Sequence, residues 1–173
     1  MIETAIGVNN VFEIASSHPR VDAITIGGQD LTADMGIVKT KDNAGIDYAR
    51  KALVMAAKAN RIDALDTVFA DVDDDEGLAE ETAYAKKIGF TGKAVINPRQ
   101  IEIIHDIFTP TDEEIRKASK IVLAFQKNKA LGIGVFALDG KMVDAPVVAR
   151  AQQILDLADI NMDELLKELK DEE

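Results

Sequence analysis

Asp22-Ala23-Ile24-Thr25-Ile26-Gly27-Gly28-Gln29-Asp30-Leu31 holds a strand signal, a turn and a carboxylate in one short run. The first half is β-prone and the Gly-Gly pair ends it, so it reads as a buried strand and its turn. Outward from it, strand-like and helix-like pieces alternate. Residues 43–60 carry Ile46, Ala49, Leu53, Ala56 and Ala57 on one helical face. Residues 62–72 form a second strand candidate, and an acidic stretch from Asp71 leads into a helix over 76–88 closed by Gly89. Residues 93–96 form a third strand, and Pro98 stands where a first helical residue belongs. Residues 1–5 read as the end of a strand running into a loop. Such alternation indicates parallel βαβ units. An open doubly wound sheet of four strands suits the length, whereas a closed (β/α)8 barrel takes eight strands and about 250 residues. Periodicity leaves both open.

Further along, Thr111 and Glu114 have capping-box spacing at the head of a helix over 111–126. Residues 132–140 read as a β-hairpin arm around Asp139-Gly140. Pro146 opens another helix, and the tail from Asn161 reads as a short acidic one.

Composition removes several classes. Among 173 residues there is no cysteine, which excludes a disulfide framework and any thiolate nucleophile or metal ligand. Apolar runs fall far short of the ~18 residues of a membrane helix. The start lacks the basic and apolar segments of a signal peptide, which fits a cytoplasmic protein. With 31 acidic against 20 basic residues, the net charge of −11 argues against general nucleic-acid binding.

Carboxylates just after strands are the candidates for chemistry, because ligands of parallel α/β folds sit at the carboxyl ends of strands. Glu3 follows the first stub and Asp30 follows the Gly-Gly turn. Two such carboxylates suit Mg²⁺, which keeps open positions for substrate and water. The plainer alternative is that Asp30 caps a helix over 31–35 and Glu3 is solvated. The acidic run Asp71 to Glu76 reads as a solvated helix N-terminus. Asn97-Pro98-Arg99, with Lys93 nearby, can grip an anionic carrier group or be an ordinary strand-to-helix turn. Asp139, Lys141 and Asp144 by themselves mark only a polar turn. His18 and His105 lack a Ser or Cys partner signature.

Six separated motifs, in order and spanning nearly the whole chain, resemble one family. They are Ile2-Glu3-Thr4-Ala5-Ile6-Gly7-Val8, Gly27-Gly28-Gln29-Asp30-Leu31, Asp66-Thr67-Val68-Phe69-Ala70-Asp71-Val72, Glu76-Gly77-Leu78, the run from Gly89 through Ile101, and Gly140-Lys141-Met142-Val143-Asp144-Ala145-Pro146. The family is that of the citrate lyase β subunit, within the HpcH/HpaI aldolase and citryl/malyl-CoA lyase superfamily. The resemblance implies an α/β chain that is the C-terminal half of a TIM (β/α)8 barrel. Residues 1–109 would hold strands five to eight, and residues 110–173 a C-terminal extension of helix, hairpin arm and helices. Strands one to four would be missing.

The resemblance further implies Glu3 and Asp30 as Mg²⁺ ligands, Asp144 as the proton-donating catalytic carboxyl, with Lys141 beside it, and Lys93, Asn97 and Arg99 on the carrier side. In related thioester lyases the matching Asp comes from a neighbouring subunit. The implied reaction is cleavage of a 3-hydroxyacyl thioester: citryl-thioester, on an acyl carrier protein or CoA, to oxaloacetate and acetyl-thioester. Malyl-CoA or citramalyl-CoA lyase is the close alternative, and a non-catalytic fragment or partner subunit the distant one. Implied partners are other citrate lyase subunits or an acyl carrier protein, with no nucleic acid or membrane. An open parallel edge further predicts self-association into a homo-oligomer. Gln29 stands where relatives often have Glu or Asn. The first half would supply a substrate-binding arginine, so turnover by this chain alone is expected to be badly impaired.

Overall fold

Ala23–Thr25 forms the first strand, β1, in the computed structural model, which describes residues 1–160; the acidic helix expected from Asn161 lies outside the described residues. β2 (Asp63–Asp66) lies parallel to β1, and β3 (Gly92–Lys93) lies parallel to β2, with Ala23 opposite Asp63 and Leu65 opposite Gly92. Ile2 makes a parallel bridge to Ile26. Its N–H donates to Thr25 O at 2.8 Å and its carbonyl accepts from Gly27 N–H at 2.9 Å, while Ile26 N–H turns the other way to Leu65 O. The order across the sheet is therefore Ile2, β1, β2, β3, which is also the order along the chain.

The ladders are shorter than the β-prone runs. The run over 62–72 pairs only through Asp66, and the run over 93–96 only at its start. A strand can extend no further than its partner does. Residues 1–5 contribute a single bridge before α1 (Ala5–Asn9), which Thr4 caps through Gly7 N–H, and α2 (Val11–Ala15) follows. Neither helix was expected, since five residues are too few to show a period.

The longer helices follow their sequence signals. α4 (Asp47–Asn60) buries Ala49, Leu53, Ala56 and Ala57 against a core that includes Ile24, Ile26 and Ala64. Its run of small side chains lets the helix axis approach the sheet closely. α5 (Asp75–Ile88) is capped by Asp74 through Gly77 N–H and ends at Gly89, whose φ of 106° is the left-handed region that favours glycine. α6 (Gln100–Phe108) completes this unit, residues 1–108, and puts Ile104 against Phe69 and Leu78.

From Thr109 onward the described residues form a second unit. The expected capping box is present at the head of α7 (Asp112–Ala130), with both Thr111 and Glu114 reciprocating. β4 (Phe136–Leu138) and β5 (Lys141–Val143) are antiparallel around Asp139 and Gly140, both at positive φ as a type I′ turn requires. α8 (Ala145–Leu157) packs Ala151 and Leu155 on Ala118 and Val122 of α7. Among the described residues no helix is long and apolar enough to cross a membrane.

Candidate functional site

The Ile2–Ile26 bridge delivers Glu3 to the carboxyl end of the sheet beside Gly27. A Cβ on Gly27 would lie 2.6 Å from Glu3 Cγ and 3.0 Å from Glu3 Oε1, so the missing side chain makes the space in which Glu3 rests. The next residue, Gly28, begins α3 (Gly28–Asp34). Asp30 lies in the first turn of that helix and is exposed, while Glu3 is half-buried. Asp30 does not cap α3: the N-cap is Gly27, with no side-chain bond. Among the described residues neither carboxylate has a hydrogen-bond or ion-pair partner. Two unpaired carboxylates at neighbouring strand ends form an acidic donor set suited to a hard cation. No group of three His, Asp or Glu side chains is gathered for a metal among the described residues. The two carboxylates match what Mg²⁺ takes, which is one or two carboxylates and several waters.

Lys93 is placed differently from its sequence-based expectation. Its ammonium is fully buried and donates to Asp66 Oδ2 at 3.0 Å, Glu81 Oε1 at 2.6 Å and Thr67 O at 2.7 Å. An ammonium has three N–H groups, so none remains for a carrier. Asp66, also fully buried, accepts a two-pronged contact from Arg50: Nε at 3.0 Å and Nη2 at 2.7 Å. The Arg50 guanidinium carbon sits 5.2 Å from the Tyr84 ring centroid and 5.9 Å from that of Phe90, while Nη1 makes no hydrogen bond. Cation–π attraction to these rings compensates part of that loss. The cluster balances two cations against two anions. Sequence reading missed Arg50 and Glu81 because partners 16, 27 and 12 residues apart leave no local pattern.

Asn97 Oδ1 accepts from Arg99 N–H at 3.0 Å, an Asx turn that opens α6. Arg99 is exposed and reaches Asp73 at 3.4 Å. Buried Gln100 ties two loops together, accepting from Ile96 N–H at 3.1 Å and donating to Phe69 O at 3.0 Å. A cleft of about 270 Å³ opens between α3 and the loops at 39–41 and 69–71, lined in part by Gln29, Lys39, Phe69 and Asp71. A larger hollow of about 610 Å³, bordered by His18 to Asp22, precedes β1 and lies at the amino end of the sheet. The smaller cleft lies at the carboxyl end, where parallel folds place chemistry, but neither Glu3 nor Asp30 lines it.

In the second unit Asp144 is half-buried and caps α8, its Oδ1 accepting from Val147 N–H at 3.1 Å. Lys141 is exposed on β5. Glu3, Asp30, Asn97 and Arg99 all belong to the first unit.

The fold is that of solved α/β proteins of the citrate lyase type. The CitE protein of Mycobacterium tuberculosis, solved with magnesium, acetoacetate and coenzyme A, is similar over 90% of this chain and 58% of its own, with a TM-score of 0.77 and 32% identity. A citrate lyase of Burkholderia xenovorans gives a TM-score of 0.79 at 27% identity, covering 91% of this chain and 51% of its own. The chain belongs to the HpcH/HpaI aldolase/citrate lyase family, whose sequence profile matches residues 1–98. Citrate lyase subunit beta of Leuconostoc mesenteroides is 42% identical over 160 residues, 92% of this chain and 53% of the relative. Mitochondrial citramalyl-CoA lyase of Rattus norvegicus is 38% identical over 91% of this chain and 49% of the relative. The chain spans about half the length of these curated relatives.

Proposed function

We propose that this chain carries the metal-binding part of a Mg²⁺-dependent carbon–carbon lyase acting on 3-hydroxyacyl thioesters, citryl-thioester first among them. The observation that carries the reading is the unpaired pair Glu3 and Asp30 at adjacent strand ends, inside the segment that matches the family. The sheet order Ile2, β1, β2, β3, all parallel and in chain order, supports their assignment as strands five to eight of a (β/α)8 barrel. Residues beyond Thr109 are then the extension.

In this reading Glu3 and Asp30 hold Mg²⁺, which when bound polarises the oxygen that becomes the oxaloacetate carbonyl. The substrate hydroxyl gives its proton to water, the C–C bond breaks, and its electron pair passes to the acetyl-thioester fragment as an enolate. The carboxyl of Asp144, supplied by a neighbouring subunit, delivers a proton to that carbon. Lys141 next to it favours negative charge on the substrate. Arg99, held by the Asn97 turn, offers a cation to the carrier, a CoA or an acyl carrier protein prosthetic group. Lys93 is left out of this role because its donors are engaged internally. Other citrate lyase subunits and a second copy of the chain are the proposed partners.

The test is metal binding by the purified chain, followed with Mn²⁺ by electron paramagnetic resonance. Glu3→Gln and Asp30→Asn should each weaken binding at least about tenfold. Absence of Mn²⁺ binding by the unaltered chain refutes the reading. The relatives include a citramalyl-CoA lyase at 38% identity, so citryl-, citramalyl- and malyl-thioesters should be compared as substrates.

A further inference from the structure

We propose that Thr67 is a positioning residue for the metal pair, resting on the reading of Glu3 and Asp30 just given. α3 starts without a side-chain cap, because its N-cap residue is Gly27. The N–H groups of a first helical turn have no partner within the helix. Thr67, 39 residues away along the chain, supplies one: its Oγ1 accepts from Gly28 N–H at 3.0 Å in a buried contact. The hydroxyl thus acts as a cap borrowed from the neighbouring strand's exit.

The contact leaves no slack. A Cβ on Gly28 would lie 2.8 Å from Thr67 Oγ1 and 3.0 Å from Ile46 Cδ1. Thr67 itself is 1% exposed. Its carbonyl accepts from Lys93 Nζ at 2.7 Å, and Lys93 is held in turn by Asp66 and Glu81. A continuous chain of contacts runs from the buried ion cluster through Lys93 and Thr67 to the first residue of α3. Asp30 stands two residues further along that same turn. Moving the first turn of α3 therefore moves Asp30, whereas Glu3 is tied through Ile2 to Thr25 and Gly27 at the exit of β1. Metal affinity depends on the two carboxylates keeping one spacing.

Two variants separate positioning from packing. Thr67→Val keeps the side-chain volume and removes the acceptor, whereas Thr67→Ser keeps the acceptor and removes a methyl. A packing role predicts that the serine variant is the worse of the two. The positioning role predicts the reverse for metal: Mn²⁺ affinity about tenfold weaker in Thr67→Val and within about twofold of the parent in Thr67→Ser, on the scale of lost outer contacts at metal sites. The readout is Mn²⁺ titration by electron paramagnetic resonance on the full chain, with urea midpoints measured alongside. Should the valine variant not fold, Thr67→Ala, which also lacks the acceptor, takes its place against serine. Equal Mn²⁺ affinity in the parent and the acceptor-less variant overturns the role of Thr67 and leaves the metal pair standing. No binding by the parent overturns both.

Discussion

Asp66→Asn is the change that most directly probes how this sheet is held together. Asp66 accepts from Arg50 Nε, Arg50 Nη2 and Lys93 Nζ at 3.0, 2.7 and 3.0 Å. The amide removes the negative charge and turns a donor toward one of these cations. Two buried cations are then left with Glu81, which touches only Lys93. Removing one partner of a buried ion pair costs about 3–5 kcal/mol, chiefly because the remaining charge stays desolvated. That is a large share of the ~5–15 kcal/mol by which a domain is stable. With a urea dependence of about 2 kcal/mol/M, a loss of about 4 kcal/mol moves the midpoint down by about 2 M. Urea unfolding followed by circular dichroism reads this, and a variant with no native baseline agrees equally. Asp73→Asn, which touches only the exposed Arg99 pair, serves as the control and should move the midpoint hardly at all. A midpoint shift below about 0.5 M for Asp66→Asn would refute the claim that the cluster is electrostatically interdependent.

Gly27→Ala should leave the urea midpoint nearly unchanged while weakening Mn²⁺ binding, because the atoms its Cβ meets are flexible side-chain atoms of Glu3 and Met1; a lowered midpoint with intact Mn²⁺ affinity would contradict this. Acid should erode stability in part through Asp47, whose carboxyl is held below its ordinary value first by Lys51 and then by the Tyr84 hydroxyl, both at 2.6 Å. A depressed carboxyl contributes stability above its unfolded value of about 3.9 and loses it as pH falls through the lower folded value. The urea midpoint measured from pH 6 to pH 2 should therefore fall less steeply in Asp47→Asn than in the parent, and identical slopes would remove Asp47 from the account.

Local signals were legible in proportion to how much of their cause is local. The Thr111–Glu114 capping box, the Gly89 stop, the Asp139-Gly140 turn and the apolar face of α4 all came out of sequence spacing and stand in the structure. Each depends on residues within a turn or two of one another. The lengths of β2 and β3 were over-read, because a ladder ends where its neighbour does. Asp30 was legible as a carboxylate after a strand. Its place is inside α3 rather than at the cap, and the Gly28 N–H at that helix start is met by Thr67 from the neighbouring strand's exit.

Lys93 shows the limit most clearly. A lysine opening a β-prone run near Asn97-Pro98-Arg99 looks like a free cation, and only the approach of Asp66 and Glu81 makes it an internal strut. By itself the sequence determined the alternation of elements, the motifs that mark the family, and the two carboxylates that follow strands. Tertiary structure alone decided which charges are buried against each other and which stay unpaired. Burial and partner distance depend on residues far apart in the chain, and a charge becomes costly or available only once its neighbours have displaced the water around it.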